Sequence, residues 1–309
     1  MNTAMDVVDG VDLTGRTCLI TGATSGLGRE SARALASTGA HVVLTGRNAA
    51  ALADVDTWVR GEVPHAQTST VVLDLTSLQS VRAAANQIQQ LAPALHVLMN
   101  NAGVMFTPFG RTADGFEIQF GTNHLGHFEL TRLLTPQLVA AEGARIVTLS
   151  SDGHRLGDVD LDDPNWERRE YDKFVAYGAS KTANILHVVE LDRRLRDHQV
   201  RAYAVHPGIV ATSLARHMSS DDFAGLGRLA KATADPRAEK VDVRRDFTTP
   251  EHGAATQVWA AVSAELAGVG GVYLVGCRIR DDRDDVAPHA LDAAHAAALW
   301  ELSGRLCDG

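Results

Sequence analysis

Residues 17–28 read TCLITGATSGLG, in which a short β-rich run is followed directly by a turn with three glycines. A helical pattern then continues to Ala40. In this order of strand, turn and helix, glycines let backbone N–H groups approach a pyrophosphate, and the helix N-terminus favours its negative charge. The stretch therefore predicts a dinucleotide site at Gly22, Gly26 and Gly28, with a plain glycine-containing turn as the alternative.

The rest of the chain alternates between strand-like and helix-like segments. Six further strands are predicted, at residues 41–45, 70–73, 95–99, 145–149, 201–205 and 271–275. The segments between them have helical patterns, the longest at residues 113–141 and 174–197. Such alternation predicts an α/β fold, a single doubly wound (Rossmann) domain over residues 1–309, with a parallel sheet of about seven strands and helices on both faces.

Three segments stand outside this alternation. Residues 1–14 are predicted to be a loose N-terminal arm, and residues 152–172 a long loop rich in Asp, Arg, Gly and Pro. Residues 213–248 gain charge and are predicted to form a helical substrate lid. The lid has apolar residues at roughly helical spacing, which favour either an apolar substrate pocket or helix packing. These residues are Leu214, Met218, Phe223, Leu226 and Leu229.

The composition excludes several classes of partner. The 309 residues carry a net charge of −9, so no basic surface for nucleic acid or anionic lipid is expected. Three scattered cysteines without CxxC spacing argue against a disulfide framework and fit a reducing cytoplasm. The N-terminus lacks the apolar run of a signal peptide, and no run approaches the ~20 apolar residues of a membrane span.

Arg47 follows the second predicted strand, within the sequence Gly46-Arg47-Asn48. In dinucleotide folds an acidic residue near this position binds the ribose 2′-hydroxyl of NAD, whereas an arginine accommodates the 2′-phosphate of NADP. No carboxylate is present here, so the sequence predicts NADP rather than NAD. An ordinary surface arginine is the alternative interpretation.

Small or polar residues follow six of the predicted strands. They are Gly22, Arg47, Asp74, Asn101, Ser151 and Pro207. In open α/β sheets the ligand crevice lies outside the carboxyl ends of the strands, so these residues are expected to meet around one crevice. The agreement between six strand ends predicts a small-molecule site at this edge of the sheet.

Tyr177 and Lys181 are four residues apart in the helical segment 174–197, and residues at that spacing share one helix face. A free phenol has a pKa of about 10, and a nearby ammonium group is expected to lower it. The pair is then suited to proton transfer with a substrate oxygen near neutral pH. The alternative interpretation is a solvated helix face.

His124 and His127 are three residues apart, a spacing that occurs in metal sites. A structural metal site needs further ligands, and the sequence shows no third one nearby. Packing or surface roles are therefore favoured, and no metal is predicted.

Taken together, these motifs resemble the short-chain dehydrogenase/reductase family over nearly the whole chain. The matching motifs are TGATSGLG at 21–28, Asp74-Leu75, NNAG at 100–103, Asn123, Ser151, YGASK at 177–181 and HPG at 206–208. The sequence is most similar to the retinol-dehydrogenase-like and WW-domain-oxidoreductase-like branch. The phrases GTNHLGHFELTRLL, VTLSSDGH and YGASKTANILHVVEL carry that similarity.

The resemblance implies a role for each matching residue. Tyr177 would be the acid/base, Lys181 its electrostatic partner, and Ser151, rather than Ser150, would bind the substrate carbonyl. Asn123 would position a water in a proton relay with Lys181. The implied cofactor contacts are Gly22, Ser25, Gly26, Leu27, Gly28, Arg47, Asp74, Leu75, Asn101, Ala102, Gly103, Tyr177, Lys181, Pro207, Gly208, Val210 and Thr212.

The expected function is an NADP-dependent oxidoreductase that transfers a hydride between nicotinamide and a carbonyl or alcohol, on a hydrophobic substrate. The resemblance leaves two alternatives open, an NADP-binding sensor or scaffold without turnover and a carbon–carbon double-bond reductase. It also implies a homodimer or homotetramer, with the helix at 174–197 as the candidate interface.

Overall fold

Seven parallel strands and one antiparallel edge strand form a single sheet in the computed structural model, which describes residues 2–210, 222, 248–280 and 286–309. The sheet order is β3-β2-β1-β4-β5-β6-β7-β8. The strands are β1 Thr17–Ile20, β2 His41–Gly46, β3 Gln67–Val72, β4 Val97–Asn100, β5 Arg145–Leu149, β6 Arg201–His206, β7 Val272–Val275 and β8 Ile279–Arg280. The order reverses between β1 and β4, and this switch point is where an α/β sheet opens a ligand crevice.

Helices cover both faces of the sheet, as the alternation predicted. They are α1 Ala4–Val7, α2 Gly26–Ser37, α3 Ala49–Glu62, α4 Leu78–Leu91, α5 Ile118–Phe120, α6 Gly126–Ala140, α7 Lys173–Leu195, α8 Pro250–Gly253, α9 Ala255–Val262 and α10 Ala293–Asp308. A π-helical turn, Gly121–Leu125, joins α5 to α6. No described helix is both long and apolar enough to cross a membrane.

Alternate side chains of the strands supply two hydrophobic cores. In β1, Cys18 and Ile20 pack in the core under α2, α3 and α9, whereas Leu19 packs in the core under α4, α6 and α7. Successive strand residues point to opposite faces of a sheet, so one apolar run serves both layers. The α/β class and the doubly wound sheet are confirmed, with one strand more than expected.

The N-terminal segment differs from the prediction of a loose arm. Residues 4–7 form α1, which begins with a capping box between Thr3 and Asp6. Ala4 and Val8 are buried in the core that also contains α2. Capping satisfies free backbone N–H groups at the helix start, and the buried side chains attach the helix to the domain. The sequence pattern of so short a helix was too weak to reveal this.

The predicted helix at 113–141 begins later and is interrupted. Residue Glu117 accepts hydrogen bonds from the backbone N–H groups of Gln119 and Phe120, so helical structure starts at Ile118. The π-helical turn then inserts extra backbone before α6, and such turns are common at functional sites. The predicted lid lies outside the described residues, apart from Asp222 and Thr248.

Candidate active site

The glycine turn between β1 and α2 packs closely against the loop that follows β4. The φ angles of Gly22 and Gly26 are +67° and +55°, in the left-handed region that favours glycine. A Cβ atom at Gly28 would lie 2.4 Å from the carbonyl oxygen of Gly22 and 2.6 Å from Asn101 Nδ2. Asn101 Nδ2 donates to the carbonyl oxygen of Thr21 at 2.7 Å. Glycine is therefore required at 28 by packing within the protein itself.

The first turn of α2 is open for an anion. Ser25 is exposed at the N-cap position, and its side chain makes no capping hydrogen bond. The first N–H groups of a helix have no partners within the helix, and the helix dipole favours negative charge there. Leu27 and Gly28 lie in this turn. The site fits the diphosphate of a dinucleotide.

Arg47 lies beside the glycine turn. It directly follows Gly46, where an added Cβ would lie 3.0 Å from Cγ2 of Thr24 in that turn. Arg47 itself is exposed. Arg47 thus lies at the carboxyl end of β2, and its contact with a 2′-phosphate stays a prediction.

Asp74 and Leu75 follow β3 but have roles within the protein. Asp74 Oδ1 accepts hydrogen bonds from the backbone N–H of Thr76 at 2.9 Å and from its hydroxyl at 2.7 Å. Leu75 is buried, and a Cβ at Gly126 would lie 2.7 Å from its carbonyl oxygen. These contacts shape the loop that would border an adenine ring.

Asn123 lies in the π-helical turn and is fully buried. Both polar atoms of its side chain form hydrogen bonds within the protein. Oδ1 accepts from the N–H of Val104 at 2.8 Å, and Nδ2 donates to the carbonyl of Val104 and to Ser180 Oγ, both at 2.9 Å. The side chain therefore holds the loop after β4 against α7.

Tyr177 and Ser151 meet at the carboxyl end of β5. Ser151 Oγ accepts from the N–H of Gly153 at 3.1 Å. A Cβ atom at Gly153 would lie 2.8 Å from Cε1 of Tyr177 and 3.3 Å from Ser151 Oγ, so the two side chains flank this glycine. Ser150 is buried instead, and its hydroxyl donates to the carbonyl oxygen of Lys181 at 2.9 Å. Of the two serines, Ser151 is therefore the one that can reach a substrate beside Tyr177.

Lys181 extends beneath the ring of Tyr177. Its Nζ lies 5.7 Å from the ring centroid and donates to the carbonyl oxygen of Leu149 at 3.1 Å. A Cβ at Gly103 would lie 3.6 Å from this Nζ and 3.2 Å from Asn123 Oδ1, so all three residues share one corner. Burial lowers the pKa of Lys181 to about 8, which leaves it mostly charged at neutral pH.

The expected lowering of the Tyr177 pKa is wrong. Burial raises the pKa of Tyr177 to about 12, and the nearby Ser151 side chain offsets part of this rise. The cost of removing a phenolate from water exceeds the benefit of a nearby charge that is itself partly desolvated. Tyr177 is thus held as a neutral hydroxyl, ready to donate a proton.

The loop after β6 closes over the start of α2. Gly208 has a φ angle of +83°, and Val210 bridges to Thr248. A Cβ at Gly253 would lie 2.5 Å from Val210 and 2.7 Å from Leu27, so α8 brings these two predicted residues together. Pro207 lies in the same loop, and Thr212 lies outside the described residues.

An aromatic wall extends from Tyr177 toward a surface cleft. Phe106 packs against Tyr177 at 4.9 Å between ring centroids and against Phe174 at 4.7 Å. The cleft itself is lined by Pro108, Glu170, Tyr171, Asp172, Lys173 and Phe174. Phe109, 48% exposed, packs against Tyr171 at its edge. The buried ring of Phe106 therefore connects Tyr177 to Phe174, which lines the cleft.

Sequence reasoning missed several residues that shape this site. Thr21 Oγ1 accepts hydrogen bonds from the N–H groups of Asn101 and Ala102, at 2.9 and 3.0 Å. Gln257 Nε2 reaches Asn101 Oδ1 at 3.3 Å from α9. His154 Nδ1 donates to the carbonyl oxygen of Ser151 at 2.7 Å, because its Nε2 accepts from a backbone N–H. Thr21 adjoins the glycine motif, but the other two gave no local signal.

His124 and His127 have different protein partners. His124 Nε2 bonds Ser303 Oγ in α10 at 2.8 Å, whereas His127 Nε2 bonds Thr21 Oγ1 at 2.8 Å. The rings therefore do not converge on one point. No cluster of metal ligands occurs in the described part of the chain.

Gly153→Ala is expected to lower kcat roughly ten- to hundredfold, because small displacements of a reacting group are costly. An added Cβ would lie 2.8 Å from Cε1 of Tyr177 and 3.3 Å from Ser151 Oγ, so the two hydroxyls would have to move. Steady-state kinetics test this. Gly304→Ala in α10, with no atom within 4 Å, is the control. Unchanged kcat for Gly153→Ala would contradict the packing argument.

Acid should destabilise the fold through four buried histidines. Burial lowers the pKa of His127 and His154 to about 4, of His187 to about 3, and of His124 well below its ordinary value. Below pH ~6.5 the unfolded chain binds protons that the folded protein excludes, so stability falls with pH until these folded-state pKa values are reached. Near pH 5 we expect a loss of about 2 kcal/mol per histidine.

Thermal unfolding followed between about pH 7.5 and pH 5 measures this loss. Replacing exposed His198 with Gln should leave the pH dependence unchanged. A melting temperature that does not fall with acidification would show that the buried histidines are not neutral.

Comparison with known proteins gives a consistent result. The model of the short chain dehydrogenase family matches residues 16–222. Retinol dehydrogenase 14 from Mus musculus is 40% identical over 299 residues, which cover 94% of this chain and 85% of that protein. The WW domain-containing oxidoreductase from Danio rerio is 38% identical over 312 residues, covering 98% and 71%. A crystal structure of a protein from Mycobacterium paratuberculosis matches with a TM-score of 0.74 at 35% identity, covering 99% and 97%.

The family match spans the glycine turn, the π-helical turn, β5 and α7, which together carry the site described above. Oxidoreductases of this family bind a nicotinamide cofactor and act on alcohol or carbonyl groups. The chain belongs to the short chain dehydrogenase family, within its retinol-dehydrogenase-like branch.

Proposed function

We propose that the protein is an NADP-dependent reductase or dehydrogenase that interconverts a carbonyl and an alcohol on an apolar substrate. One observation carries the proposal. A neutral tyrosine hydroxyl, a serine hydroxyl and a buried lysine meet at the carboxyl end of β5. The open helix start beside the glycine turn lies at the carboxyl end of β1, on the same edge of the sheet.

In carbonyl reduction the protein's own groups manage the charge on the substrate oxygen. Ser151 and Tyr177 would donate hydrogen bonds to that oxygen, and Tyr177 would then transfer its proton to it. The positive charge of Lys181 stabilises the resulting phenolate. Bound NADP supplies or accepts the hydride. In alcohol oxidation the same groups would act in reverse.

We assign proton supply to Lys181 and to the main chain of Asn123. With a pKa of about 8, Lys181 can lose and regain a proton near neutral pH. The side chain of Asn123 holds Val104 and Ser180, so its carbonyl oxygen is the group that would bind a relay water. Gly103 lies beside both residues, and a Cβ atom there would lie 3.2 Å from Asn123 Oδ1 and 3.6 Å from Lys181 Nζ.

An apolar substrate is supported by the aromatic wall. Pro108 and Phe174 line the cleft and exposed Phe109 lies at its edge, so a hydrocarbon group could pack against these three side chains. Burial of apolar surface supplies about 25 cal/mol per Å² of favourable free energy. Retinoid, steroid and lipid aldehydes are the substrate classes that suit such a wall.

The test is consumption of NADPH or NADH across a panel of aldehydes, ketones, alcohols and enones, with product identification. Turnover of apolar carbonyls to alcohols would support the proposal. Reduction of the carbon–carbon double bond of an enone would favour the double-bond reductase instead. Tight NADPH binding without turnover of any compound would favour a sensor or scaffold.

Arg47→Asp should reverse the cofactor preference from NADPH to NADH. A charge-assisted hydrogen bond to the 2′-phosphate is worth about 1.5–3 kcal/mol, so kcat/KM with NADPH should fall about ten- to hundredfold. The new carboxylate could bind the 2′-hydroxyl of NAD. The exposed residue Arg196, replaced with Asp, is the control. A wild-type preference for NADH would overturn the assignment of Arg47.

We also propose that the protein acts in the cytoplasm as a homodimer or homotetramer. Its three cysteines are unpaired, which suits a reducing compartment. The predicted interface helix, α7, is covered on one side by α10, where His187 stacks on Trp300 at 5.5 Å between ring centroids. Subunits that meet at α7 would have to contact a side that α10 does not cover, and sedimentation of the purified protein tests the assembly.

A further inference from the structure

His127 lies between two parts of the site that are distant in the sequence. It is the second residue of α6, directly after the π-helical turn that carries Asn123, and is 2% exposed. One ring nitrogen faces the hydroxyl of Thr21, which precedes the glycine turn. The other faces the carbonyl oxygen of Asn123.

The hydrogen bonds around Thr21 assign the proton on the ring. Thr21 Oγ1 already accepts from two N–H groups, those of Asn101 and Ala102, which occupy both lone pairs. Its single proton is then donated to His127 Nε2 at 2.8 Å, in preference to the carbonyl oxygen of Met99 at 3.4 Å. Nε2 therefore acts as an acceptor and carries no proton.

The opposite nitrogen must be the donor. His127 Nδ1 lies 3.0 Å from the carbonyl oxygen of Asn123, and a carbonyl oxygen can only accept. The ring is thus neutral with its proton on Nδ1. The fully buried position agrees, because burial lowers the pKa of His127 to about 4.

We propose that His127 is a positioning residue, which in its neutral Nδ1–H form joins the glycine turn at Thr21 to the main-chain carbonyl of Asn123. The proposal rests on the function proposed above, because it gives this carbonyl a place in proton supply. The donated hydrogen bond fixes the direction of the Asn123 carbonyl. The accepted bond holds the Thr21 hydroxyl toward the backbone of Asn101 and Ala102.

The tautomer can be measured in the wild-type protein, independent of activity. Nitrogen-15 NMR of labelled histidine distinguishes protonated from unprotonated ring nitrogens, and the spectrum of His127→Asn identifies the signal. We expect a neutral ring at pH 7 with the proton on Nδ1. A proton on Nε2, or a charged ring, would overturn the proposal whether or not the protein turns over any carbonyl.

Two variants separate the two hydrogen bonds. His127→Asn keeps a short amide donor for the carbonyl of Asn123 but loses the acceptor for Thr21. His127→Gln keeps a longer acceptor for Thr21 but loses the donor. We expect the Gln variant to lose about ten- to hundredfold in kcat, with a larger solvent deuterium isotope effect, while its NADPH Kd changes little. The Asn variant should retain most of kcat and bind NADPH about three- to tenfold more weakly.

His124→Gln and His124→Asn are the matched controls. His124 is also buried, lies in the π-helical turn and bonds Ser303 instead of the site. These variants should lower the melting temperature without a change in the isotope effect. Equal losses in kcat and isotope effect for His124 and His127 variants would assign His127 a general packing role and overturn the proposal. Failure of the wild type on every carbonyl, with the expected tautomer, would reject the enzyme function alone.

Discussion

Tyr177→Phe should reduce carbonyl turnover about 10²–10⁴-fold, the range in which a positioned general acid contributes, while NADPH still binds. The substitution removes the buried hydroxyl group of Tyr177, whose raised pKa keeps it neutral. The ring and its contact with Phe106 remain, so the pocket should keep its shape. Single-turnover kinetics, together with a fluorescence titration of NADPH, measure the two effects separately.

Tyr203→Phe is the control for this prediction. Tyr203 is also buried. Its hydroxyl donates to the carbonyl oxygen of Leu266 at 3.3 Å, in the core that contains α9. Loss of that bond should cost about 1 kcal/mol of stability and leave kcat unchanged. Full turnover by Tyr177→Phe would refute the assignment of the acid.

Gly28→Ala is expected to have the second large effect, on cofactor affinity. The new Cβ would lie 2.4 Å from the carbonyl oxygen of Gly22 and 2.6 Å from Asn101 Nδ2, and both of these groups belong to tight backbone turns. Overpacking of this kind costs about 1–3 kcal/mol. We expect the added methyl group to destabilise the conformation that binds NADPH, so the NADPH Kd should rise about ten- to hundredfold.

A matched substitution distinguishes this clash from a general effect of alanine. Gly61→Ala lies in α3 with no atom within 4 Å of the added Cβ, so it should stabilise the helix by about 1 kcal/mol without a change in Kd. Isothermal titration with NADPH and thermal unfolding give both quantities. A wild-type NADPH Kd in Gly28→Ala would show that Gly22 and Asn101 can move apart at no cost in binding free energy.

The structure changes how the sequence motifs are interpreted. Gly28 is required by contact with Gly22 and Asn101, in addition to any contact with a diphosphate. The side chain of Asn123 holds Val104 and Ser180, so it connects the loop after β4 to α7. A sequence motif shows which residue type occurs at a position. The structure shows which distant residues that side chain contacts.

The largest errors of sequence reasoning concern burial and long-range contacts. The helical spacing of Tyr177 and Lys181 suggested a lowered tyrosine pKa, but burial of Tyr177 raises its pKa to about 12. Residues 1–14 looked like an arm because α1 is short, yet Ala4 is buried against the core. Solvent exclusion depends on the whole fold, so local patterns could not reveal either result.

The sequence alone determined the strand, turn and helix order around 17–28, the alternation that builds the sheet, and the pairing of Tyr177 with Lys181. These features depend on backbone preferences and side-chain periodicity over a few residues. Tertiary structure alone decided that Ser151 faces Tyr177 and that His127 joins Thr21 to Asn123. Thr21 and His127 are 106 residues apart, and packing of α6 against the sheet brings them within 2.8 Å. Hydrogen bonds of that kind follow from the folded arrangement of whole elements, which no short stretch of sequence encodes.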